Sequence, residues 1–495
     1  MIQFDLLRVE GSTRIPTPVA DDVRVDLELD KIIEVASNGD KLIAETWLNT
    51  LLLKDSSEDA VRYRQEAVKD ALVNRNAILS MYSIARDTLE RVRRDVFIFR
   101  RDDPSSITRE TARGIGILVD GLNSLLSILK STNFSSKAFR DLVISLTANI
   151  NESFISSARY IVGMFDYNKD IVFSVKVGSY NYLRDPVLLV PKDEGSLFSR
   201  LLSFGKEYTY RLDPRDEAGP QILHDIRNWV LLRAASILLD AYNKMRRFFE
   251  DLMKQLSFYV GAINMSDFFT KMGLPQTYPD ISSGRFAFED LHCLSLAISS
   301  SRKPVPSTLE VNTDGAFAVL ITGANRGGKT TFLKAVGQAI LLARAGLFIP
   351  AKSFTIPAPG AVYTHFLRGE DRTLSYGKFE EEVRRFRGFM DLLRSGDFIL
   401  MDESFSSTNP VEASVVAENV VSALADSGVN VFYVTFLQDF IYNFTRKYGE
   451  RAVLLVPERL SNGERTFRLV RGALQPGFAM DLWAKLYHET MSGNK

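Results

Sequence analysis

Apolar positions along the chain follow two periods, and the changes between them divide it. Near the start, Val23, Val25, Leu27 and Leu29 alternate with charged residues, which predicts a short strand. From Leu42 to about Val162 the spacing is mainly helical. Leu118, Leu122, Leu125 and Leu129 step by three and four, and the stretch from Ser105 to Phe165 holds no proline. Two runs then take strand character, Ile171 to Val177 and Glu207 to Leu212, separated by Pro186, Pro191 and glycines. Helical spacing resumes from Gln221 to Val260, which contains neither Gly nor Pro. Its apolar residues, among them Ile237, Ala241, Met245, Phe248, Leu252 and Leu256, again step by three and four. About forty residues at helical rise span about 60 Å. Such a stripe predicts core or coiled-coil packing, and a rod of that length suits the transmission of motion. Two long helical stretches around a small β-rich insertion, near residues 166–220, describe a pair of levers with the insertion at the tip.

Gly273, Pro275, Pro279 and the cluster Ser282-Ser283-Gly284 mark a linker. Beyond about Arg285 strands and helices alternate, the pattern of an α/β nucleotide-binding domain. Late strands are predicted at Val453 to Val456 and Thr466 to Val470, around a turn at Ser461-Asn462-Gly463. The expected organisation is an N-terminal segment and helical core over 1–104, lever helices with the insertion over 105–284, and a nucleotide-binding domain over 285–495.

At 495 residues the chain exceeds what one core usually supports. Lysine plus arginine and aspartate plus glutamate both total 61, so net charge gives no global pull toward nucleic acid or anionic membrane. The insertion carries eight basic residues against nine acidic ones, the composition of a solvated mixed-charge face. One cysteine, Cys293, excludes a disulfide framework, and four scattered histidines disfavour a histidine metal cluster. No signal-peptide pattern and no apolar run of membrane-spanning length are evident, so a soluble, cytoplasmic protein is expected.

Chemistry concentrates between Gly323 and Thr331. The run Gly323-Ala324-Asn325-Arg326-Gly327-Gly328-Lys329-Thr330-Thr331 satisfies G-x-x-x-x-G-K-[ST], after an apolar strand-like segment and before a helix-like one. In that setting the glycines let backbone N–H groups wrap phosphates, Lys329 reaches the β/γ-phosphates, and Thr330 offers its hydroxyl to Mg²⁺. The helix N-terminus adds favourable potential for the anion. The expected ligands are ATP and Mg²⁺. Some seventy residues later, Phe398-Ile399-Leu400-Met401-Asp402-Glu403 reads as a buried strand ending in two acids. Asp402 is placed to hold Mg²⁺, and Glu403 to orient or deprotonate an attacking water. The second acid favours hydrolysis over transfer to a small-molecule acceptor. Between them, Ser375 and Gly377 open a helix, a second anion-binding arrangement; the segment resembles the signature of ABC-type ATPases, which reaches the γ-phosphate of a neighbouring subunit.

These residues resemble the MutS family. Its glycine-rich loop usually reads GPNMGGKS or GPNTGGKT, here GANRGGKT, with Asn325 and the paired glycines kept. The following helix, the ending Gly346 to Ala351 and the MDE of the acidic strand are also similar. So are Gln255 to Val260 and the segment from Ile43 with its Trp47-Leu48. The resemblance covers the chain from about residue 20. It implies an α/β P-loop ATPase domain, ABC-like, preceded by a mainly α-helical core and lever domain with a small β-rich insertion. It further implies a homodimer acting on DNA in repair or recombination.

The departures have their own implications. Full-length mismatch sensors of the family begin with a mismatch-reading domain and a connector, whereas this chain opens at the core, as a short form. The family's signature serine and glycine are matched loosely by Ser375 and Gly377. Its switch histidine, after a hydrophobic-Thr pair, is replaced by Phe436 after Val434-Thr435, which implies slowed hydrolysis or a nucleotide switch. Two functions remain open at this point: a nucleotide-gated DNA clamp, and a nucleotide-switched scaffold whose levers grip a protein partner.

Overall fold

The computed structural model describes residues 4–9, 13–97, 103–165, 173–177, 183–188, 218–312, 315–324, 327–368, 377–459 and 465–472. Asn325, Ser375, the Glu207 to Leu212 run and the Ser461 to Gly463 turn lie outside them. The described residues form two compact units. One gathers 76–133 and 140–256, and the other 5–75, 134–139 and the chain from 257 onward.

The chain begins with helices α1 (Thr17–Asp26), α2 (Leu29–Ser37), α3 (Lys41–Leu51) and α4 (Glu58–Val73). The strand expected around Val23 to Leu29 is therefore a correction. Val19, Val23 and Leu27 are buried at helical steps of four, while Val25 is 63% exposed. Glu28, at φ +52°, turns the chain between α1 and α2, and this junction produced the false alternation. Helices α5 (Arg75–Asp95), α6 (Pro104–Ser131), α7 (Lys137–Asn149) and α8 (Glu152–Met164) follow. Helix α6 starts as its sequence dictates: Asp103 accepts from the amides of Ser105 and Ser106, and Pro104 takes the first position, where no donor is needed. By length and composition α6 is apolar enough to cross a membrane, contrary to expectation. In the fold, 61% of its most apolar window is buried inside the protein, as in a core helix.

Strands β1 (Phe173–Val177) and β2 (Leu183–Leu188) form an antiparallel pair. Pro186, read as a separator, stands inside β2; in a two-stranded ribbon each strand keeps a free edge where a missing amide costs little. Helix α9 (Ala218–Met272) runs 55 residues, about 80 Å at helical rise, longer than the proline-free window suggested. Its stop is encoded. Gly273 at φ +62° follows it, and the Leu274 amide bonds back to the Phe269 carbonyl at 3.0 Å, closing a Schellman turn.

The rest of the second unit is strand and helix in alternation: β3 (Asp280–Ile281), β4 (Arg285–Leu291), α10 (Leu294–Ser300), β5 (Ser307–Asn312), β6 (Ala318–Ile321), α11 (Lys329–Arg344), β7 (Ser353–Ile356), β8 (Val362–Phe366), α12 (Lys378–Met390), β9 (Phe398–Asp402), α13 (Pro410–Asp426), β10 (Asn430–Val434), α14 (Gln438–Tyr448), β11 (Ala452–Arg459) and β12 (Arg465–Arg471). Among the described residues, one sheet has the order β12-β11-β6-β10-β9-β8 and a second the order β3-β7-β4-β5. The larger sheet is parallel from β11 to β8, with β12 antiparallel at one edge. Its central strands β6 and β10 are buried throughout, as unbroken apolar runs covered on both faces require. On one face Leu320, Met401 and Tyr433 pack against Ala417 and Val421 of α13 and Phe440 of α14. On the other, the Phe286 ring meets those of Phe317, Phe398 and Phe432 and joins the two sheets. A mixed α/β region that follows a mainly helical one along the chain is as expected.

Helix α11 is anchored at its far end. Arg64, 1% exposed, donates from Nε to the Ala345 carbonyl at 3.1 Å and from one terminal nitrogen to the Arg344 carbonyl at 2.7 Å. These are the carbonyls a helix leaves unpaired. Burial lowers the Arg64 pKa to about 10, so the guanidinium stays charged at neutral pH.

Candidate active site

The register places Ile321 at the end of β6 and Asp402 at the end of β9 both opposite Val434 of β10. The segments leaving these three strands therefore emerge level, at the carboxyl edge where open parallel sheets bind ligands. After β6 comes the glycine-rich turn, after β9 Glu403, and after β10 Phe436.

Conformation and space both demand glycine in the turn. Gly323 has φ +123°, and a Cβ there would lie 2.5 Å from Cδ of Pro457; at Gly327 it would lie 2.8 Å from Pro457 Cγ. Gly328, at φ +85°, precedes α11 and packs 3.2 Å from the Phe467 carbonyl oxygen by the same measure. The β11–β12 hairpin thus forms a wall of the turn. Pro457 stands where the hairpin register shifts, one of the places that a strand proline marks in sequence. Phe467 carries no such signal, and sequence reasoning missed both.

Lys329 opens α11 and is 6% exposed. Its Nζ donates to the carbonyls of Gly323 at 2.8 Å and Ala324 at 3.1 Å, and the Phe436 ring centre lies 4.5 Å away. Burial lowers its pKa, opposed by Glu403 and Asp402. Burial also raises the pKa of Asp402, against a hydrogen bond from the Thr330 hydroxyl; Glu403 adds to the rise and Lys329 works against it. Glu403 has φ +53°, and its amide donates to the Val434 carbonyl at 2.8 Å. The structure therefore gathers Gly323, Gly327, Gly328, Lys329, Thr330, Asp402 and Glu403. Gly377 precedes α12 with open space around its α-carbon.

Beside Gly328 and Thr331 lies a cavity of about 250 Å³, walled mainly by Leu291, Cys293, Val305, Phe332 and Phe467. Among the described residues, no cluster of three or more His, Cys, Asp or Glu could hold a metal by itself. Thr330 and Asp402 instead offer two hard oxygens, a set that suits Mg²⁺, which takes its other ligands from phosphate and water.

Fold and site together define a mixed α/β protein with a glycine-rich turn and an acidic strand end meeting at one sheet edge. Residues 56–272 match the family model described as the MutS2 N-terminal domain, and residues 319–456 match MutS domain V. The chain belongs to the MutS family. It is 34% identical over 121 residues to "Endonuclease MutS2" of Thermus thermophilus, covering 24% of this chain and 16% of that protein. It is 33% identical over 179 residues to "Endonuclease MutS2" of Carboxydothermus hydrogenoformans, covering 36% and 22%. A "DNA mismatch repair protein MutS 2" of Haloarcula marismortui is 27% identical over 144 residues, covering 28% and 15%. The aligned stretches thus span less than a quarter of each relative's length.

Proposed function

We propose that this chain is a MutS-type ATPase that binds and hydrolyses MgATP at the β6–α11 turn and acts on DNA in repair or recombination. The observation that carries the reading is the convergence of Lys329, Thr330, Asp402 and Glu403 at level strand ends. Lys329 exchanges the carbonyls of Gly323 and Ala324 for the β/γ-phosphates, losing two neutral acceptors and gaining charged ones. Backbone amides of the turn and the N-terminus of the sixteen-residue α11 hold the remaining phosphate charge. Thr330 and Asp402 would hold Mg²⁺, which when bound neutralises charge on the phosphates. Glu403 orients the attacking water and takes its proton at the carboxylate. The apolar cavity beside Thr331 seats the base, with Phe467 along one wall.

The DNA part of the reading rests on the family, since charge is balanced. On this reading the described helices of the first unit serve as levers, and two copies form a clamp that nucleotide gates, with the Ser375–Gly377 segment of one closing the site of the other. Calorimetry with MgATP tests the site, and a salt-titrated binding assay with duplex, mismatched and branched DNA, with and without ATP, tests the clamp. Salt-sensitive binding that ATP alters supports it. Nucleotide binding without any DNA binding replaces the clamp with a scaffold for a protein partner.

A further inference from the structure

Glu403 sits in a strained stretch of backbone. Its φ of +53° and that of Phe405, +62°, are left-handed, a region that residues with a Cβ rarely adopt. Between them Ser404 is buried and held from both sides. Its hydroxyl lies 2.6 Å from the His365 carbonyl oxygen and 2.7 Å from His365 Nδ1, and the Tyr433 hydroxyl donates to its carbonyl. His365, also buried, has Nε2 3.1 Å from the Glu382 carbonyl on α12. The Glu382 side chain is 6% exposed; Oε1 accepts from the Ser407 hydroxyl, and Oε2 has no hydrogen-bond partner among the described residues.

The proton positions follow from chemistry. Burial pushes the His365 pKa down to about 3, so the ring is neutral and carries one proton. A carbonyl only accepts, so that proton sits on Nε2 and faces Glu382. Nδ1 is then a bare acceptor, and the single Ser404 hydroxyl proton has two acceptors at nearly equal distance. Helix α12 thus reaches the segment bearing Glu403 twice: from the Glu382 carbonyl through His365 to Ser404, and from the Glu382 carboxylate to Ser407. The second carboxylate oxygen of Glu382 is buried without a hydrogen-bond partner among the described residues, so its contact with Ser407 is what ties this side chain to the segment.

We propose that Glu382 is a positioning residue that couples the placement of α12 to the aim of Glu403, so that hydrolysis depends on it and nucleotide binding does not. This inference rests on the MgATP hydrolysis proposed above. Glu382 touches none of Lys329, Thr330 or Asp402 in the contacts described; it acts through Ser404 and Ser407.

The test compares wild type with Glu382→Ala, Glu382→Gln, Ser407→Ala and the double variant Glu382→Ala/Ser407→Ala, by MgATP calorimetry and single-turnover hydrolysis. Kd is expected to stay within about twofold throughout. Hydrolysis by Glu382→Ala should fall roughly 10- to 100-fold, the range for small misplacement of a reacting group. Glu382→Gln keeps an acceptor for Ser407 and should recover most of the rate. The double variant should be no slower than Glu382→Ala alone, because both residues form one link. An unchanged rate in Glu382→Ala, a parallel loss of Kd, or losses that multiply in the double variant would each overturn the proposal. Should Glu382→Ala fail to fold, Ser407→Ala, at a half-buried hydroxyl, decides alone: a slower rate at constant Kd supports the link and an unchanged rate removes it. Wild type that binds no MgATP, or binds it without hydrolysis, instead overturns the reading beneath.

Discussion

The Phe436 ring centre lies 4.5 Å from the Lys329 ammonium, over the nitrogen assigned to the β/γ-phosphates. Phe436 is 44% exposed, so it shields the lysine from one side while remaining open to solvent on the other. An aromatic face holds a cation but cannot donate to a phosphate. Phe436→His places a donor at this position, and turnover should rise about tenfold, a modest share of what a donor to developing charge contributes. Steady-state phosphate release checks it. An unchanged rate would place the slow step elsewhere.

Lys329→Ala removes the cation proposed above to meet the phosphates. Calorimetry should then show MgATP binding lost at every concentration accessible. Tight binding by this variant would remove the basis of the site assignment.

Glu403→Gln keeps the shape of the side chain and deletes its basicity. Nucleotide affinity should persist while turnover falls roughly 10²-fold or more, the usual worth of a positioned acid–base group. Equal hydrolysis by wild type and variant would hand the role to another residue.

Asp26 offers a pH test away from the chemistry. Burial raises its pKa from 3.8 to about 6, against the lowering effects of the nearby Thr364 hydroxyl and of attraction to Arg385, with Asp22 nearby adding to the rise. A carboxyl whose folded pKa exceeds its unfolded value favours the folded state when protonated. Its penalty is absent below about pH 3.8 and complete above about pH 6. Asp26→Asn should therefore stabilise the chain near pH 7.5, by about 3 kcal/mol, and bring nothing at pH 3.5. Urea unfolding at the two pH values reads this directly. Destabilisation at pH 7.5 would show that the attraction to Arg385 outweighs desolvation.

The composite-site idea predicts complementation. Lys329→Ala and Ser375→Arg chains should each be inactive, yet a mixture should hydrolyse ATP, because one hybrid interface joins two intact halves. ATP should also tighten the dimer as its concentration rises. Demonstrated heterodimers without activity would mean that each chain's site is self-contained.

Much of this was legible because local pattern and tertiary demand agree. The apolar run at Phe398 to Met401 is a buried parallel strand, and the pattern around Lys329 gave strand, turn and helix. Where they disagree, the sequence misled. Leu27 and Leu29 flank a left-handed turn between two helices, and no local signal separates that from a strand. Pro186 reads in sequence as a separator between two strands and sits inside one in the fold, since the free edge of a two-stranded ribbon is set by partners, not by the residue. Phe467, the histidine–serine contact behind Glu403 and the Arg64 anchor join residues tens to hundreds of positions apart. Such contacts leave no periodic trace.

The unbroken helix Ala218–Met272 has one more consequence, for how the chain can change over time. Each residue turns a helix by about 100°. One inserted or deleted residue near its middle would rotate every later side chain by that angle, taking Leu252 and Leu256, now fully covered, out of phase with Ile237, which faces solvent. Only additions near whole numbers of turns, such as eleven or eighteen residues, would bring the buried and wet faces back to their present phase. Related chains should therefore tolerate gaps in the loops on either side of this helix and differ within it in such steps. A collection of functional variants selected from random single-codon insertions should show an empty interval there.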